Sequence, residues 1–398
     1  MRVLVLNPGS SSLKYHLRET ADAGRAAGIL LSGQVDWPPG ERSSPDRLEA
    51  AFDELEATIK SVGSAPEAIG HRVVHGGAQF STPVRVTAEV TAAIDGLSPL
   101  APLHNRASVA CIEAAGQRWP DLPQVAVFDT AFHRSIPDFA ARYAIPEDLY
   151  RDYPVRRYGF HGISVEMACQ DTAAFLDGPV STLSAVVAHV GNGASVTAVR
   201  HGLSVDTSMG MTPLEGLVMG TRSGDLDPSV VLLLQQDGAT ADEVDHILNH
   251  QSGLLAVAGS ADMRTVGMAA RNGEPRARLA IDMAAYRLAK YVAAYSMVVG
   301  GPGALVFTGG VGENSALFRE KVVAWLGPLG LGIDAALNNA ALNNKASNNK
   351  ALNTAARDGI RVISTMDSTF PVLVVPSDEE RAIAESTAAL LAMPTEEG

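Results

Sequence analysis

Residues 2–17, RVLVLNPGSSSLKYHL, decide the fold of this chain. The apolar run over residues 2–7 predicts a buried strand, which enters a Pro-Gly-Ser turn before a second strand at about 13–17. A similar unit recurs at residues 184–200, SAVVAHVGNGASVTAVR, where a strand over 186–190 enters a Gly-Asn-Gly turn. In open α/β sheets, ligands bind where strands run into such loops. The repeat therefore predicts two related α/β lobes with a cleft between them.

The remaining elements follow from hydrophobic periodicity and turn residues. A chain of 398 residues is long enough for two domains. The apolar patterns predict strands over 28–35, 69–74, 125–128, 304–307 and 372–375, helices over 47–62, over 275–299 and from about 378, and a glycine-rich loop over 309–314.

Composition and charge exclude several classes of protein. A net charge of −13 argues against nucleic acid or an anionic membrane as the main partner. The two cysteines, Cys111 and Cys169, suffice for neither a disulfide framework nor a zinc site, which indicates a reducing compartment. The apolar N-terminal run is too short for a signal peptide, and residues 292–307 are interrupted by glycines and a proline. We therefore expect a soluble, cytoplasmic protein.

Residues 337–356 form a low-complexity stretch of four pentapeptides, LNNAA, LNNKA, SNNKA and LNTAA. A period of five matches neither a helix nor a strand. Asparagine favours turns and helix caps over helix interiors. We expect a repeat expansion in a surface loop or at a helix end, without a role in chemistry.

Three small-residue loops could bind phosphate groups. The sequence has neither the Gly-Lys dipeptide of a P-loop nor a G-x-G-x-x-G motif. Instead, residues 7–12 (NPGSSS), 191–195 (GNGAS) and 309–314 (GGVGEN) each follow a predicted strand. Glycine lets backbone N–H groups approach an anion closely. A plain β-turn would explain any one of these loops, but three at strand ends favour phosphate binding.

Five residues stand at positions suited to phosphoryl chemistry. Arg72 lies near the end of a predicted strand, Arg222 lies in a loop between glycines, and His161 lies between an aromatic residue and a glycine. Asp129 and Glu379 follow predicted strands. Taken singly, each has a structural explanation, such as a solvated arginine, a core histidine or an acid at a helix start. Together they meet the needs of phosphoryl transfer, which requires positive charge on the transferring oxygens and a metal.

The chain resembles the acetate kinases along its whole length. The block TSMGMTPLEGLVMGTRSGD at residues 207–225 is very specific. The other shared motifs are LNPGSSSLKY (6–15), HRVVHGG (71–77), LAPLHN (100–105), VFDTAFH (127–133), YGFHG (158–162), HVGNGAS (189–195), TGGVGENS (308–315) and VPSDEERA (375–382). The resemblance implies reversible, in-line transfer of a phosphoryl group from ATP to acetate, giving acetyl phosphate and ADP.

The resemblance also implies roles for individual residues. Asp129, His161 and Arg222 match the family's catalytic aspartate and transition-state stabilisers, and Asn7 and Glu379 match its site for magnesium, which manganese can also occupy. The acid is expected to contact Arg72 through its carboxylate and Val74, Leu103, Phe160 and Pro213 through its methyl group. The nucleotide is expected to contact Lys14, His189, Val190, Gly191, Asn192, Gly193, Asp262, Met263, Arg264, Gly310, Val311, Gly312, Glu313 and Asn314.

The fold that the resemblance implies is a pair of duplicated, actin-like lobes of the ribonuclease-H type, with the nucleotide cleft between them. Residues 1–131 are expected to form the N-terminal lobe, closed by the C-terminal helix over 381–398. Residues 132–380 are expected to form the nucleotide-binding and dimerisation lobe. Because members of the family form homodimers through the second lobe, a homodimer is expected here.

Two positions depart from the family's usual pattern. Val165 stands where the family's HGTSH motif has its second histidine, and Met263 replaces an aromatic neighbour of the base. Neither change removes a charged group that the reaction needs. Either could alter the geometry of a pocket or the turnover.

Two alternatives remain open at this point. A propionate kinase would share the mechanism and have a roomier pocket, and one methylene in an apolar pocket changes binding by only about 1–3 kcal/mol. A non-catalytic, actin-like protein would use nucleotide to drive closure or assembly. The combination of Arg72, His161 and Arg222 favours an enzyme, because a switch needs no arginine to hold an acid.

Overall fold

The chain forms two compact units in the computed structural model. The structure describes residues 1–9, 12–20, 26–36, 45–101, 104–340, 356–357 and 359–393. Unit 1 comprises Met1–Arg134, Gly162–Ser164 and Asp378–Gly398, and unit 2 comprises Ser135–His161 and Val165–Ser377. The assignment of nucleotide binding and dimerisation to the lobe over 132–380 stays a prediction.

Each unit is built around one mixed β-sheet. The strands of the first sheet are β1 (Arg2–Pro8), β2 (Ser12–Thr20), β3 (Ala26–Asp36), β4 (Ala68–Val73), β5 (Val84–Arg85) and β6 (Gln124–Phe128). The strands of the second are β7 (Ala185–Val190), β8 (Ala194–Arg200), β9 (Leu203–Thr207), β10 (Ala304–Thr308), β11 (Ala356–Arg357), β12 (Ile360–Val362) and β13 (Val372–Val374).

The two sheets repeat one strand order. The first contains β3-β2-β1-β4-β6 with β5 at its edge, and the second contains β9-β8-β7-β10-β13 followed by β12 and β11. In both, three antiparallel strands are followed by two parallel ones. The duplicated α/β architecture predicted from the sequence is therefore confirmed.

The helices lie between and after these strands. They are α1 (Pro45–Val62), α2 (Ala88–Gly96), α3 (Asn105–Arg118), α4 (Asp138–Ala141), α5 (Glu147–Asp152), α6 (Gly162–Phe175), α7 (Ser229–Gln236), α8 (Ala241–His250), α9 (Gly253–Ala258), α10 (Met263–Arg271), α11 (Pro275–Val298), α12 (Gly309–Asn314), α13 (Ala316–Trp325), α14 (Ala335–Asn339) and α15 (Glu379–Ala392). Within the described part of the chain, none of them is both long and apolar enough to cross a membrane.

Alternation along β1 builds the core of unit 1 on both faces of its sheet. Leu4 and Leu6 are buried with residues of α1 and α3, such as Phe52. Val3 and Val5 face the other way and are buried with residues of α15. Each such side chain contributes roughly 1.5–3 kcal/mol when it is fully buried. This packing places α15 beside β1 and β4, the strands that carry Asn7 and Arg72.

In unit 2, β7 is buried along its whole length between β8 and β10. The helix α11 packs on β7 and β8, and half of its buried positions are alanines. Because β7 and β10 are parallel, both end at the same edge of the sheet. The segment Gly191–Gly193 after β7 and the helix α12 after β10 therefore meet at that edge.

Most predicted elements are confirmed within a few residues, but the glycine-rich loop predicted over 309–314 is wrong. These residues form the short helix α12. Gly309, the first residue of this helix, has a positive φ of 78°, which redirects the chain after β10. Glycine is a poor helix former, so the sequence pattern favoured a loop. Packing of α12 against β7 and β10 overrides that local preference.

The pentapeptide stretch lies largely outside the described residues. Its first residues end the helix α14, where Asn338 is buried. The expected surface loop falls on residues 341–355, which are not described, and stays a prediction.

Candidate functional site

Arg72 is the centre of a polar cluster in unit 1. Its guanidinium pairs with Asp129 through two contacts, from Nη2 to Oδ2 at 2.6 Å and from Nε to Oδ1 at 3.2 Å. Nη1 donates to Oδ1 of Asn7 at 3.3 Å, and Nε lies 3.5 Å from Oε2 of Glu379. Arg72 is the penultimate residue of β4, and Asp129 directly follows the parallel neighbour β6. Four residues predicted from the sequence therefore meet at one edge of the first sheet.

Burial sets the protonation of this cluster. Asp129 is 1% exposed, and burial raises its pKa to about 6, which Glu379 reinforces and the Arg72 guanidinium only partly offsets. For Arg72, burial opposes the charged form, but Asp129 and Glu379 outweigh it and raise the pKa above its usual range. Above about pH 6 both partners are therefore charged.

Asn7 and Glu379 offer oxygen atoms of the kind that a hard divalent cation prefers. The Asn7 amide is oriented by Glu380, because Nδ2 donates to Oε1 of that carboxylate at 3.2 Å. No group of three or more His, Cys, Asp or Glu suited to a metal occurs in the parts of the chain that the structure describes. So sparse a donor set fits Mg²⁺, which keeps several waters and is usually bound through one or two carboxylates and the substrate's phosphates.

Three further predicted residues belong to unit 1 by sequence. Val74 follows β4 and is buried, as expected for an apolar wall near Arg72. Lys14 lies on β2 directly opposite Asn7 in the antiparallel register, with its side chain exposed. Leu103 lies outside the described residues, so its predicted contact with the acid stays a prediction.

In unit 2, Arg222 and His161 converge on Gly193. A Cβ atom built at Gly193 would lie 3.5 Å from Nη1 of Arg222 and 3.5 Å from Nε2 of His161. Nη1 of Arg222 also donates to the carbonyl of Pro213 at 3.2 Å. Burial lowers the pKa of Arg222, yet arginine stays charged in proteins at neutral pH. Two nitrogen donors beside a glycine backbone can bind an anion such as a phosphoryl group.

His161 is held in an unusual conformation. Its backbone is left-handed, with φ 59° and ψ 20°, which is uncommon outside glycine and typical of strained functional positions. Nδ1 lies 2.9 Å from Oγ of Ser195, and the ring stacks on His189 with 4.3 Å between centroids. Phe160, the residue before it, is fully buried. When Ser195 donates to Nδ1, Nε2 carries the proton and can donate on the side of Gly193.

A cavity of about 900 Å³ in unit 2 is lined by both glycine-rich segments. This volume is ample for a small molecule the size of a nucleotide. The predicted nucleotide residues that line it are Gly191, Asn192, Asp262, Met263, Arg264, Gly310, Val311 and Asn314. The others in this unit, which are not among its lining residues, are His189, Val190, Gly193, Gly312 and Glu313.

A buried arginine shapes the second glycine segment. Arg319 is 1% exposed, and its Nη1 donates to the carbonyls of Gly312 and Glu313, both at 2.8 Å. Its Nε donates to Oδ1 of Asn338 at 2.8 Å. The Glu313 carboxylate accepts from the backbone and the hydroxyl of Ser377, at 2.9 and 2.7 Å. In this structure Gly312 and Glu313 therefore support the segment, and their predicted nucleotide contact stays a prediction.

Sequence reasoning missed about half of the cavity wall. Met268 and Arg271 share one face of α10 with Arg264, at the i, i+4, i+7 spacing that could have identified them. Gly267 lies on the same helix. The remaining wall residues are Leu254 and Leu317, and Ala261 and Ser315, which directly adjoin predicted residues.

Comparisons with known proteins agree with this geometry. The sequence model described as the acetokinase family matches residues 2–385. An acetate kinase of Arthrobacter sp. (strain FB24) is 51% identical over 401 aligned residues, which cover 98% of this chain and 99% of that protein.

Solved structures support the same assignment. A propionate kinase from Francisella tularensis and an acetate kinase from Porphyromonas gingivalis both match with a TM-score of 0.85, at 38% and 39% identity. The alignments cover 97% and 98% of this chain and 99% of each neighbour. They confirm the two-lobed α/β fold class. A match of sequence and structure over nearly the whole length shows that the chain belongs to the acetokinase family.

Proposed function

We propose that this protein catalyses reversible phosphoryl transfer between ATP and acetate, giving acetyl phosphate and ADP. The observation that carries the proposal is the convergence of Arg222 and His161 on Gly193, in the unit that also holds the cavity of nucleotide size. In the forward reaction, a carboxylate oxygen of acetate forms a bond to the γ-phosphorus. The bond from that phosphorus to the β–γ bridging oxygen breaks, and ADP leaves.

Arg72 is proposed to hold the carboxylate of the acid. A guanidinium has five N–H donors in a planar fork. In the described residues, Asp129 and Asn7 use the Nε donor and one donor on each terminal nitrogen. One N–H on Nη1 and one on Nη2 are left, and such a pair can bind a carboxylate through two bonds. Asp129 holds the guanidinium in place for this contact.

Arg222 and His161 are proposed to stabilise the transferring group. Phosphoryl transfer depends almost entirely on positioning and on charge stabilisation at the equatorial oxygens. The Arg222 guanidinium supplies a fixed positive charge that water screens little, because burial has already desolvated it. His161 supplies a second donor, oriented through Ser195.

A kinase that acts on ATP generally needs a divalent metal, and we propose Mg²⁺, with Mn²⁺ as a substitute. Asn7 and Glu379 would hold it, together with water. When bound, the metal neutralises charge on the nucleotide phosphates. Glu380 orients the Asn7 amide for this role.

The cavity of unit 2 is proposed to bind ATP or ADP. Its wall combines apolar side chains, among them Met263, Met268 and Leu317, with the small residues of the two glycine-rich segments. Apolar side chains suit the faces of a base, and glycine backbone suits the phosphates. Met263 is buried, so it can support the base where the family often has an aromatic residue.

A homodimer formed through unit 2 is also proposed. The helix α7 has no buried residue, and its Leu232 and Leu233 are each 57% exposed. On α11, Leu279, Met283 and Tyr286 form an exposed stripe at i, i+4, i+7 spacing. Exposed apolar surface of this kind is typical of interfaces between proteins.

We place the protein in the cytoplasm. Cys111 and Cys169 are both free and buried, and burial raises the pKa of Cys111 to about 12. Free thiols of this kind are typical of proteins in a reducing compartment.

An assay with three acids tests the proposed function. The purified protein with ATP and Mg²⁺ is given acetate, propionate or butyrate, and the acyl phosphate is trapped as a hydroxamate. The highest kcat/KM is expected with acetate. A higher value with propionate would make the protein a propionate kinase, and no product from any acid would contradict the proposal.

Arg72→Ala should raise the KM for the acid strongly. It should leave the affinity for ADP, measured by calorimetry, nearly unchanged.

A further inference from the structure

The segment that carries Arg222 is held by a cluster of acidic, basic and tyrosine side chains with no proposed role in the reaction. We propose that Glu215, together with Arg157 and Tyr143, is a positioning unit that places the Arg222 guanidinium for phosphoryl transfer. This inference rests on the role proposed for Arg222 above. The cluster lies wholly within unit 2.

Arg222 lies within a loop that is closed at its base. Gly216 donates its N–H to Oδ1 of Asp225 at 2.8 Å, and Asp225 donates its N–H to the carbonyl of Gly216 at 3.0 Å. The helix α11 fixes this base, because the hydroxyl of Tyr291 donates to Oδ2 of Asp225 at 2.9 Å and Nη1 of Arg287 lies 3.3 Å from the same oxygen. The loop is therefore a rigid frame rather than a free connection.

Glu215 stands immediately before this loop, and both of its oxygens are engaged. Nη2 of Arg157 donates to Oε1 at 2.7 Å, and the hydroxyl of Tyr143 donates to Oε2. Arg157 also donates through Nη1 to the carbonyls of Thr207 and Ser208, at 3.1 and 3.3 Å. The carboxylate thus ties the start of the Arg222 loop to the end of β9.

The path from this cluster to Arg222 is short. The Tyr143 hydroxyl accepts from the backbone N–H of Met211 at 3.1 Å, so the cluster holds the chain at both Met211 and Glu215. Pro213 lies between these two points, and its carbonyl accepts from Nη1 of Arg222 at 3.2 Å. A shift of Glu215 would therefore move the atom that anchors the guanidinium.

On the side that faces Gly210, the space beside Glu215 has no room for a further side chain. A Cβ atom added to Gly210 would lie 1.8 Å from Oε2 of Glu215 and 2.1 Å from the Tyr143 hydroxyl. Any residue other than glycine at this position must push the carboxylate or the phenol aside. Gly210→Ala is thus a second way to disturb the cluster without altering any of its members.

A double-mutant cycle tests the positioning role. Glu215→Gln should lower kcat by about 10- to 100-fold, since a misplacement of about 1 Å in a catalytic group can cost about 100-fold. Its KM for ATP and its ADP affinity should change by less than about threefold, because a displaced guanidinium affects the transition state more than the ground state. In an Arg222→Ala background, where no guanidinium remains to be placed, the same change should alter kcat by less than about twofold.

The controls separate positioning from general stability. Asp282→Asn removes a carboxylate from an exposed ion pair with Lys321 in the same unit and should leave kcat unchanged. Tyr143→Phe and Gly210→Ala should reproduce the Glu215→Gln result. If Glu215→Gln does not fold, Tyr143→Phe takes its place in the cycle. The opposite result is the same fold-loss of kcat from Glu215→Gln with and without the Arg222 side chain, together with a lower unfolding temperature. That result would show that the cluster only stabilises unit 2. Full activity of Arg222→Ala alone would instead overturn the proposed function.

Discussion

The protonation of Asp129 controls the ion pair that holds Arg72, the arginine proposed to bind the acid. Its folded-state pKa of about 6 lies above the ordinary value of 3.8, so the carboxyl binds a proton more tightly in the folded protein than in the unfolded chain. This group therefore favours folding most below about pH 4, and that contribution is lost as the pH rises to about 6. Activity should depend on pH in the opposite sense, because protonation removes the charge that holds Arg72.

We predict that kcat/KM for the acid falls on the acidic side with an apparent pKa near 6, the value that burial gives Asp129. The measurement is a pH series of initial rates at saturating ATP. Asp129→Asn should be slow at every pH and should lack this fall on the acidic side. If the fall occurs at the same pH in that variant, a group other than Asp129 is responsible for it.

Arg222→Lys is predicted to lose far more rate than binding. A planar guanidinium can contact two oxygens of the transferring group, whereas an ammonium is a point charge. Loss of one preorganised donor typically costs about 2.7–4 kcal/mol in the transition state, or about 100- to 1,000-fold in kcat. Steady-state kinetics with both substrates varied would show this loss, and Arg200→Lys, at the exposed end of β8, serves as the matched control. Unchanged turnover would remove Arg222 from the chemistry.

At the scale of elements, α15 carries Glu379 in its first turn and is fixed there by a partly buried salt bridge. Nη2 of Arg18 on β2 lies 2.6 Å from Oδ1 of Asp378, and the Arg18 side chain is 5% exposed. The same oxygen of Asp378 accepts from the backbone N–H of Arg381 and caps the helix. Arg18 therefore sets the position of the carboxylate that is proposed to hold the metal.

Arg18→Gln should weaken metal binding several-fold and alter the KM for acetate much less. The reason is that α15 loses its fixed start, while Arg72 keeps its bonds to Asp129. Titration of Mn²⁺ by electron paramagnetic resonance, with ADP present, measures the metal directly. Arg118→Gln, which breaks a more exposed ion pair with Asp53, should leave the titration unchanged. Equal effects of the two variants would contradict a specific role for Arg18.

The strand-end residues of the site were predictable from the sequence, and much of their supporting structure was not. Asn7, Arg72 and Asp129 were found because apolar strands end beside them, and parallel strands bring such ends together. Arg319 could not be found in this way, since its partners Gly312 and Asn338 are brought to it by tertiary packing. Likewise, α12 forms against its local propensity because β7 and β10 support it.

At the scale of the whole molecule, the exposed apolar face of α7 gives the dimer proposal its test. Leu233→Glu should shift the protein from dimer to monomer in sedimentation velocity, because a charge at the centre of an interface must be desolvated. Leu203→Glu is the matched control, since Leu203 is also 57% exposed but lies on β9. A parent protein that sediments as a monomer would rule out the homodimer, and a dimer that survives Leu233→Glu would place the interface elsewhere.

The left-handed backbone of His161 has a consequence for how this enzyme can evolve. A non-glycine residue in that conformation costs roughly 1–2 kcal/mol, a sizeable share of the 5–15 kcal/mol or so by which a typical domain is stable. Selection for heat resistance alone would therefore favour glycine or asparagine at residue 161, at the expense of the donor that we propose for phosphoryl transfer. Directed evolution of a more thermostable form should accumulate changes elsewhere for as long as acetyl phosphate production is also selected.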